Sequence, residues 1–131
     1  MTTSVRTYDH GVPWEGDFGV TQAYSVNGTI YISGQFAHDM QGNFVGEGDF
    51  EVQARQTLEN LDRVLTGFGI TKENIAELEI FLVDTKAHFQ PCVALLKAYM
   101  GGHRAAGTLI GVAGLAFPHQ LIEIRAVAHA S

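Results

Sequence analysis

Apolar and polar residues alternate on both sides of Asn27-Gly28, which predicts a β-hairpin within residues 23–34. Asn-Gly between two alternating runs is the strongest short signal for a hairpin, because its residues adopt the positive φ angles that a tight turn requires. In the second strand Ile30 and Ile32 point to one face of the sheet and the residues between them to the other. The isoleucine face is therefore the one that we expect helices to cover.

Two later segments have the three-to-four-residue spacing of an amphipathic helix. The first begins at Phe50, directly after the N-cap candidate Asp49, and ends at the glycines within 67–69. The second is expected to begin near His88. Pro91 lies in this segment, and a proline is tolerated only in the first turn of a helix because it lacks a backbone N–H.

Four further segments are predicted to be strands, within 4–8, 76–84, 107–114 and 120–129. A turn around Pro118 separates the last two. Two helices suffice to cover one face of a single sheet. The whole chain is therefore expected to form one α+β domain, residues 1–131, with one mixed, mainly antiparallel sheet and two helices on one face.

The sheet face without helices is expected to carry Tyr31, Phe81, Val83 and either Leu109 or Val127. An apolar face of this size is not expected to stay in contact with water in a monomer. We therefore expect the chain to associate with copies of itself. Any cleft at such an interface would contain residues from two chains.

The composition is that of an ordinary globular domain, with 46% hydrophobic and 17% charged residues. The formal charge is −6 and Lys and Arg are not clustered, which argues against nucleic-acid binding through a basic surface. The single cysteine, Cys92, excludes an internal disulfide and fits a reducing compartment. No apolar run approaches the ~20 residues of a membrane span, and no signal sequence opens the chain. We expect a soluble cytoplasmic protein.

The glycine-rich loop before the first long helix has four candidate roles: phosphate binding, metal binding, catalysis or simple connection. Acidic residues at 47, 49 and 51 would repel a phosphate at this helix N-terminus. The six histidines show no metal-ligand spacing, so no metal is expected. His38 suits acid–base chemistry, but the pattern favours a solvated loop histidine followed by an Asx turn at Asp39.

Glu123 is a carboxylate in the middle of the apolar strand segment 121–127. It lies on the same face as Arg125. If a neighbouring chain buries this face, Glu123 requires a polar partner. Two interpretations stay open: Glu123 holds a water or a ligand amine, or it forms an exposed pairing with a base such as Arg125.

Five segments together resemble the Rid family (RidA or YjgF type, also called "endoribonuclease L-PSP" proteins): FGVTQAYSVNGTIYISGQ, EVQARQTLENLDRVLTGFG, IFLVDT, AYMGG and LAFPHQLIEIRAVA. The resemblance covers nearly the whole chain, with the segments in the family's order. It implies a chorismate-mutase-like α+β fold and a homotrimer with small-molecule clefts between subunits. The best-known members hydrolyse reactive enamine or imine intermediates, releasing ammonia and a 2-keto acid without metal or cofactor.

The resemblance assigns the water-orienting carboxylate to Glu123 and the cleft floor to Ser33, Gly34 and Gln35. The deaminase members have an arginine at the start of the fifth main strand, and it binds the substrate carboxylate. Gly107, followed by Thr108, stands at that position here.

Two other polar residues of the family are replaced by Val20 and Val93. Arg104 lies three residues before Gly107, which places it ~10 Å away along extended chain and on the opposite face, so it can compensate only if the loop bends back. His38 and His119 are the other candidates to replace the lost polarity. We therefore expect the 2-iminoacid deaminase activity to be weak or absent.

The retained Glu123, together with glycine in place of the arginine, leaves three candidate functions. The first is hydrolysis of a neutral or less acidic imine-like or small carbonyl metabolite, with Glu123 orienting water. The second is non-catalytic binding of a small molecule, as a metabolic accessory protein. The third is the endoribonuclease activity in the family's older name, which the net charge of −6 disfavours.

Overall fold

Six strands form one sheet in the order β1-β2-β3-β6-β4-β5 in a computed structural model that describes residues 3–130. The strands are β1 (Val5–Tyr8), β2 (Ala23–Val26), β3 (Thr29–Gln35), β4 (Ile75–Val83), β5 (Ala106–Val112) and β6 (Ile122–His129). Only β4 and β5 are parallel; the other neighbouring pairs are antiparallel. The predicted α+β class, with a mixed and mainly antiparallel sheet, is confirmed.

Three α-helices connect the strands: α1 (Trp14–Phe18), α2 (Phe50–Gly67) and α3 (Thr85–Met100). The sequence pattern predicts α2 and α3, and the five-residue α1 is too short to show a helical period. A 3₁₀ turn, Lys72–Asn74, precedes β4. The carboxylate of Asp49 accepts a hydrogen bond from the backbone N–H of Val52 (3.1 Å), so the predicted N-cap of α2 is confirmed.

The start of α3 is three residues earlier than predicted. Asp84 is the N-cap, and its side chain accepts a hydrogen bond from the backbone N–H of Ala87 at 3.2 Å. Pro91 is therefore the seventh residue of the helix rather than a residue of its first turn. Ala87 and Pro91 are both exposed. The carbonyl that would have accepted the missing N–H of Pro91 belongs to Ala87 and remains in contact with water.

Helices α2 and α3 cover one face of the sheet and enclose the hydrophobic core. The fully buried side chains of this core include Ile30, Ile32, Leu61, Leu65, Leu82, Ile122 and Ile124. The predicted burial of the isoleucine face of β3 is confirmed. None of the helices within residues 3–130 is both long and apolar enough to cross a lipid bilayer.

The other face of the sheet carries large apolar side chains, as predicted. Tyr31 is 47% exposed, and Phe81 and Val127 are partly exposed. Val127 lies opposite Tyr31 in the β3–β6 pair, on this open face. Leu109 is paired with Ile80 and points towards the helices instead. Of the two alternatives, Val127 is therefore correct and Leu109 is wrong.

Candidate functional site

Glu123 points out of the open face of the sheet, because it is paired with Phe81 of β4. It is half-buried, and its Oε1 accepts a hydrogen bond of 3.1 Å from Nε2 of Gln120. Arg125 forms its ion pair with Glu79 at 3.6 Å. The alternative in which Arg125 is the partner of Glu123 is therefore wrong, because each residue has a different partner.

The carboxylate of Glu123 lies directly over the backbone of Gly34. A Cβ atom built on Gly34 would lie 2.6 Å from Cδ of Glu123 and closer still to its Oε2. Real Cβ atoms do not make such contacts, so a side chain at position 34 would displace the carboxylate of Glu123. We call Gly34, Gln120 and Glu123 the Glu123 corner. Ser33 is next to it and exposed, and its hydroxyl donates a 2.7 Å hydrogen bond to the carbonyl of Thr21.

The side chain of Gln35 points away from the Glu123 corner, to the helix side of the sheet. A register shift between Ile32 and Gln35 inserts one residue into β3, so Gln35 faces Ile124 on the helix side and is 1% exposed. Its Nε2 donates to Gln22 at 2.9 Å, and its Oε1 accepts from Nε2 of His10 at 2.9 Å. The side chain of Gln35 is therefore committed to this buried network, and ligand contact by the backbone of the turn at residues 33–35 stays a prediction.

The buried network continues to Glu15 of α1, which is 4% exposed. Its carboxylate accepts backbone N–H groups of residues 10, 11 and 12 at 2.8–3.1 Å, and the side chain of Gln22 at 2.8 Å. Burial lowers the pKa of His10, although the hydrogen bond with Gln35 partly opposes this. The network attaches the segment before α1 to the strand that carries Gly34.

His38 is 1% exposed and is neither a solvated loop residue nor a cleft residue. It packs against the rings of His10, Trp14 and Phe36, and its Nδ1 lies 2.8 Å from the carbonyl oxygen of Asp39. Both predicted roles of His38 are therefore wrong, since aromatic rings enclose the imidazole. The Asx turn at Asp39 is confirmed by its hydrogen bonds from the backbone N–H groups of residues 41 and 43.

A cavity of about 550 Å³ lies between α3 and the edge strand β5. Its interior is apolar and its mouth is basic. It is lined by Leu78, Ile80, Val93, Leu96, Met100, Ala105 and Gly107, with Lys97, His103 and Arg104 among its polar residues. We call it the β5 cavity. Val93 and Gly107 mark positions where the family has polar side chains, and the structure brings them together here.

Arg104 lines the same cavity as Gly107. The loop therefore bends back, as a replacement of the absent arginine by Arg104 would require. The connection after α3 bends at Gly101 and Gly102, whose φ angles are +64° and +110°. His103, which the sequence did not single out, is held by a 2.8 Å contact between its Nε2 and the carbonyl oxygen of Ile75. Arg104 has no ion-pair partner among residues 3–130.

The Glu123 corner and the β5 cavity lie on opposite faces of the sheet. Gly107 is paired with Leu78 on the helix side, whereas Glu123 is on the open face. Three other candidates join neither group. Thr108 is exposed on the open face opposite Glu79, Val20 is 48% exposed, and His119 forms an exposed ion pair with Glu47 at 3.1 Å.

No group of three or more His, Cys, Asp or Glu residues that could hold a metal ion is found within residues 3–130. Cys92 is buried in the core, and burial raises the pKa of its thiol to about 11. A thiol with so high a pKa is not a nucleophile at neutral pH. One chain therefore offers two features for chemistry: the positioned carboxylate of Glu123, and the apolar β5 cavity with basic residues at its opening.

Residues 19–130 match the family model described as Endoribonuclease L-PSP. The chain belongs to this family. A RutC family protein of Sulfurisphaera tokodaii is 36% identical over 64 residues, which are 49% of this chain and 51% of that protein. The match thus spans about half the length of this curated relative.

Solved structures extend the similarity of this L-PSP family chain to its full length. YEO7_yeast superposes with a TM-score of 0.85 at 25% identity, covering 98% of both chains. YyfA from Yersinia pestis, described as a protein of unknown function of the conserved Rid protein family, has a TM-score of 0.81 at 28% identity, covering 98% of this chain and 99% of its own. The resemblance to the Rid family and its chorismate-mutase-like fold is confirmed.

Proposed function

We propose that this protein hydrolyses small imine-like or carbonyl metabolites, with Glu123 as the general base that orients and activates water. The placement of Glu123 carries the proposal. Its Oε1 is bound by Gln120, and its Oε2 has no partner among residues 3–130. A half-buried carboxylate with one free oxygen can accept the proton of an attacking water. Neither a metal nor a cofactor is needed for this step.

The proposal includes a homotrimer in which one subunit supplies the β5 cavity and a neighbour supplies the Glu123 corner. Two observations support it. The two groups lie on opposite faces of the sheet, so one chain cannot bring them together. The open face also exposes 46% of Tyr24 and 47% of Tyr31, which favours burial against another copy.

The substrate is proposed to have an apolar body and at most a weak negative charge. Six aliphatic or thioether side chains line the β5 cavity, and Gly107 supplies no cation at its wall. Arg104 is the nearest substitute. It is exposed and has no ion-pair partner within the described residues 3–130, so it binds a carboxylate less tightly than a buried bidentate arginine would. Activity on 2-imino acids is therefore proposed to be weak.

Mixed trimers test the proposal most sharply. Glu123→Gln removes the base, and Val93→Trp fills the β5 cavity. Each variant alone is expected to lose turnover of an imine generated in the assay, by about 10²–10⁴-fold for Glu123→Gln. When the two are unfolded together and refolded as mixed trimers, about a quarter of wild-type activity should return, since one in four sites combines two intact halves.

The control is the same refolding of each variant alone, which should stay inactive. Mixed trimers without recovered activity would show that both halves act within one chain. Turnover that survives Glu123→Gln would show that the carboxylate is not the base.

Non-catalytic binding is the second candidate, and the composition of the β5 cavity favours it. No serine, threonine, cysteine or carboxylate side chain lines that cavity among residues 3–130. A binding protein predicts ligand affinity that Glu123→Gln leaves unchanged and no turnover of any substrate tested. Ribonuclease activity has the least support, because the net charge is −6 and the paired histidines His10 and His38 are enclosed rather than aimed at a groove.

A further inference from the structure

Both polar atoms of the Gln120 side-chain amide form hydrogen bonds, and all their partners lie within three residues of Gln120 in the sequence. It is 2% exposed and stands just before β6. Its backbone N–H donates to the carbonyl of Phe117 at 3.1 Å, and its Oε1 accepts from the N–H of Phe117 at 3.4 Å. Its Nε2 donates to the carbonyl of Ile122 at 3.2 Å and to Oε1 of Glu123 at 3.1 Å. The amide is therefore fixed before it meets the carboxylate.

The two oxygens of Glu123 have different surroundings as a result. Oε1 is occupied by Gln120, and Oε2 lies over the backbone of Gly34. We propose that Gln120 is a positioning residue, which holds the carboxylate of Glu123 in one orientation and leaves Oε2 as the single oxygen available to water. This inference rests on the proposed role of Glu123 as base.

A hydrogen bond to an ionised carboxylate acts in two ways here. It is stronger than a bond between neutral groups, so it holds a side chain that is otherwise free to rotate on a half-exposed face. It also stabilises the charged form, which is the form that a general base requires. Gln120 therefore affects the rate of the chemical step rather than substrate affinity.

Gln120→Met keeps the size of the side chain and removes the donor. We expect kcat to fall about tenfold with KM nearly unchanged, because bonds to charged groups have net strengths that correspond to at least this factor.

Gln56→Met is the matched control. Gln56 donates one side-chain hydrogen bond, to Asn60 at 2.9 Å on α2, away from the Glu123 corner. This variant should leave kcat unchanged. Gln120→Met should also add no loss in a Glu123→Gln background, because Gln120 acts only through Glu123. A further tenfold loss in that background, or a change in KM alone, would overturn the inference.

A second measurement separates this inference from the proposed function. The side-chain amide signals of Gln120 can be followed by ¹H–¹⁵N NMR without any substrate. Glu123→Ala should shift them and speed their exchange with water, which supports the inference even if no turnover is found; the lack of turnover then counts against the proposed function alone. Unchanged signals would overturn the inference.

Discussion

Gly34 and Gly107 stand at the two halves of the proposed cleft, and an added methyl group would meet opposite surroundings at the two positions. At Gly34 it would collide with the carboxylate of Glu123; at Gly107 the nearest atom is the carbonyl oxygen of Leu78, at 3.9 Å. Neither glycine has a positive φ angle, so backbone conformation requires neither of them. Gly34 permits the close approach of the Glu123 carboxylate, whereas the surroundings of Gly107 leave room for a side chain.

The difference explains how one half of the cleft is rigid and the other is permissive. The Glu123 corner is held by hydrogen bonds, and the neighbouring Gln35 attaches it to a buried polar network. The β5 cavity has an apolar wall, and its Arg104 has no ion-pair partner in the described part of the chain. Changes at the first half should damage function, and changes at the second should alter which substrate is accepted.

Gly34→Ala should have the largest effect. The new Cβ displaces the carboxylate of Glu123, and a misplacement of ~1 Å in a catalytic group costs about 10²-fold in rate. Steady-state kinetics should show a fall in kcat, and size-exclusion chromatography should show the same elution volume as the wild type. Gly107→Ala is the matched control, and it should retain nearly full activity because the added methyl group makes only an ordinary contact. Equal losses in the two variants would contradict the comparison.

Gly107→Arg should increase the activity on 2-imino acids. The space beyond Gly107 accepts a side chain, and a guanidinium there can bind a substrate carboxylate through two hydrogen bonds. We expect kcat/KM for a 2-imino acid to rise by about tenfold or more, since hydrogen bonds to charged groups contribute about 1.5–3 kcal/mol. Ammonia release from an imino acid generated in the assay measures it. Gly107→Met, of similar length without charge, should give no gain.

Arg104→Gln should have a smaller effect. Arg104 is exposed at the mouth of the β5 cavity, and contacts between exposed charges contribute about 0.2–1 kcal/mol. KM for an anionic substrate should rise roughly threefold and that for a neutral imine should not change. Arg55→Gln removes one exposed arginine from α2, outside the cavity, and serves as the control. A tenfold or larger loss would mean that Arg104 has taken over the role of the missing arginine.

Local periodicity was sufficient to predict most of the fold. The Asn-Gly turn, the N-cap Asp49 and the spacing of apolar residues in α2 each depend on neighbours within a few residues. The start of α3 was placed too late because the rule for proline considers the hydrogen bond that is lost. It does not consider whether water can replace that bond at an exposed position such as Ala87.

The candidate site was predicted less completely, because it depends on register and on turns. Strict alternation places Gln35 on the open face with Tyr31 and Ser33, but one inserted residue in β3 reverses its direction. Glu123 was found because a carboxylate interrupts an apolar strand. Gln120 was missed because its partners are defined by the turn before β6, and no periodic pattern reports which residues of a turn are buried.

The smallest effect should be a change in the free energy of unfolding with pH, in the range where His10 gains a proton. Burial lowers the pKa of His10 below its usual value near 6.5, so the unfolded chain binds a proton at this residue more readily than the folded one. The stability that neutral His10 supplies is complete above about pH 6.5 and is lost as the pH falls below that value. Urea unfolding of the wild type should therefore give a lower free energy of unfolding at pH 5.5 than at pH 7.5.

Other groups also titrate between pH 5.5 and 7.5. The variant His10→Gln isolates the contribution of His10 from theirs. Charges on His38, Glu15 and Arg63 act on His10 and are retained in the variant, while the partner Gln35 can still find a donor. The fall in the free energy of unfolding between pH 7.5 and 5.5 should be smaller in the variant than in the wild type. Since His10 is attached through Gln35 to the strand of Gly34, a pH effect confined to His10 would also show that the rigid half of the cleft depends on this buried network for its stability.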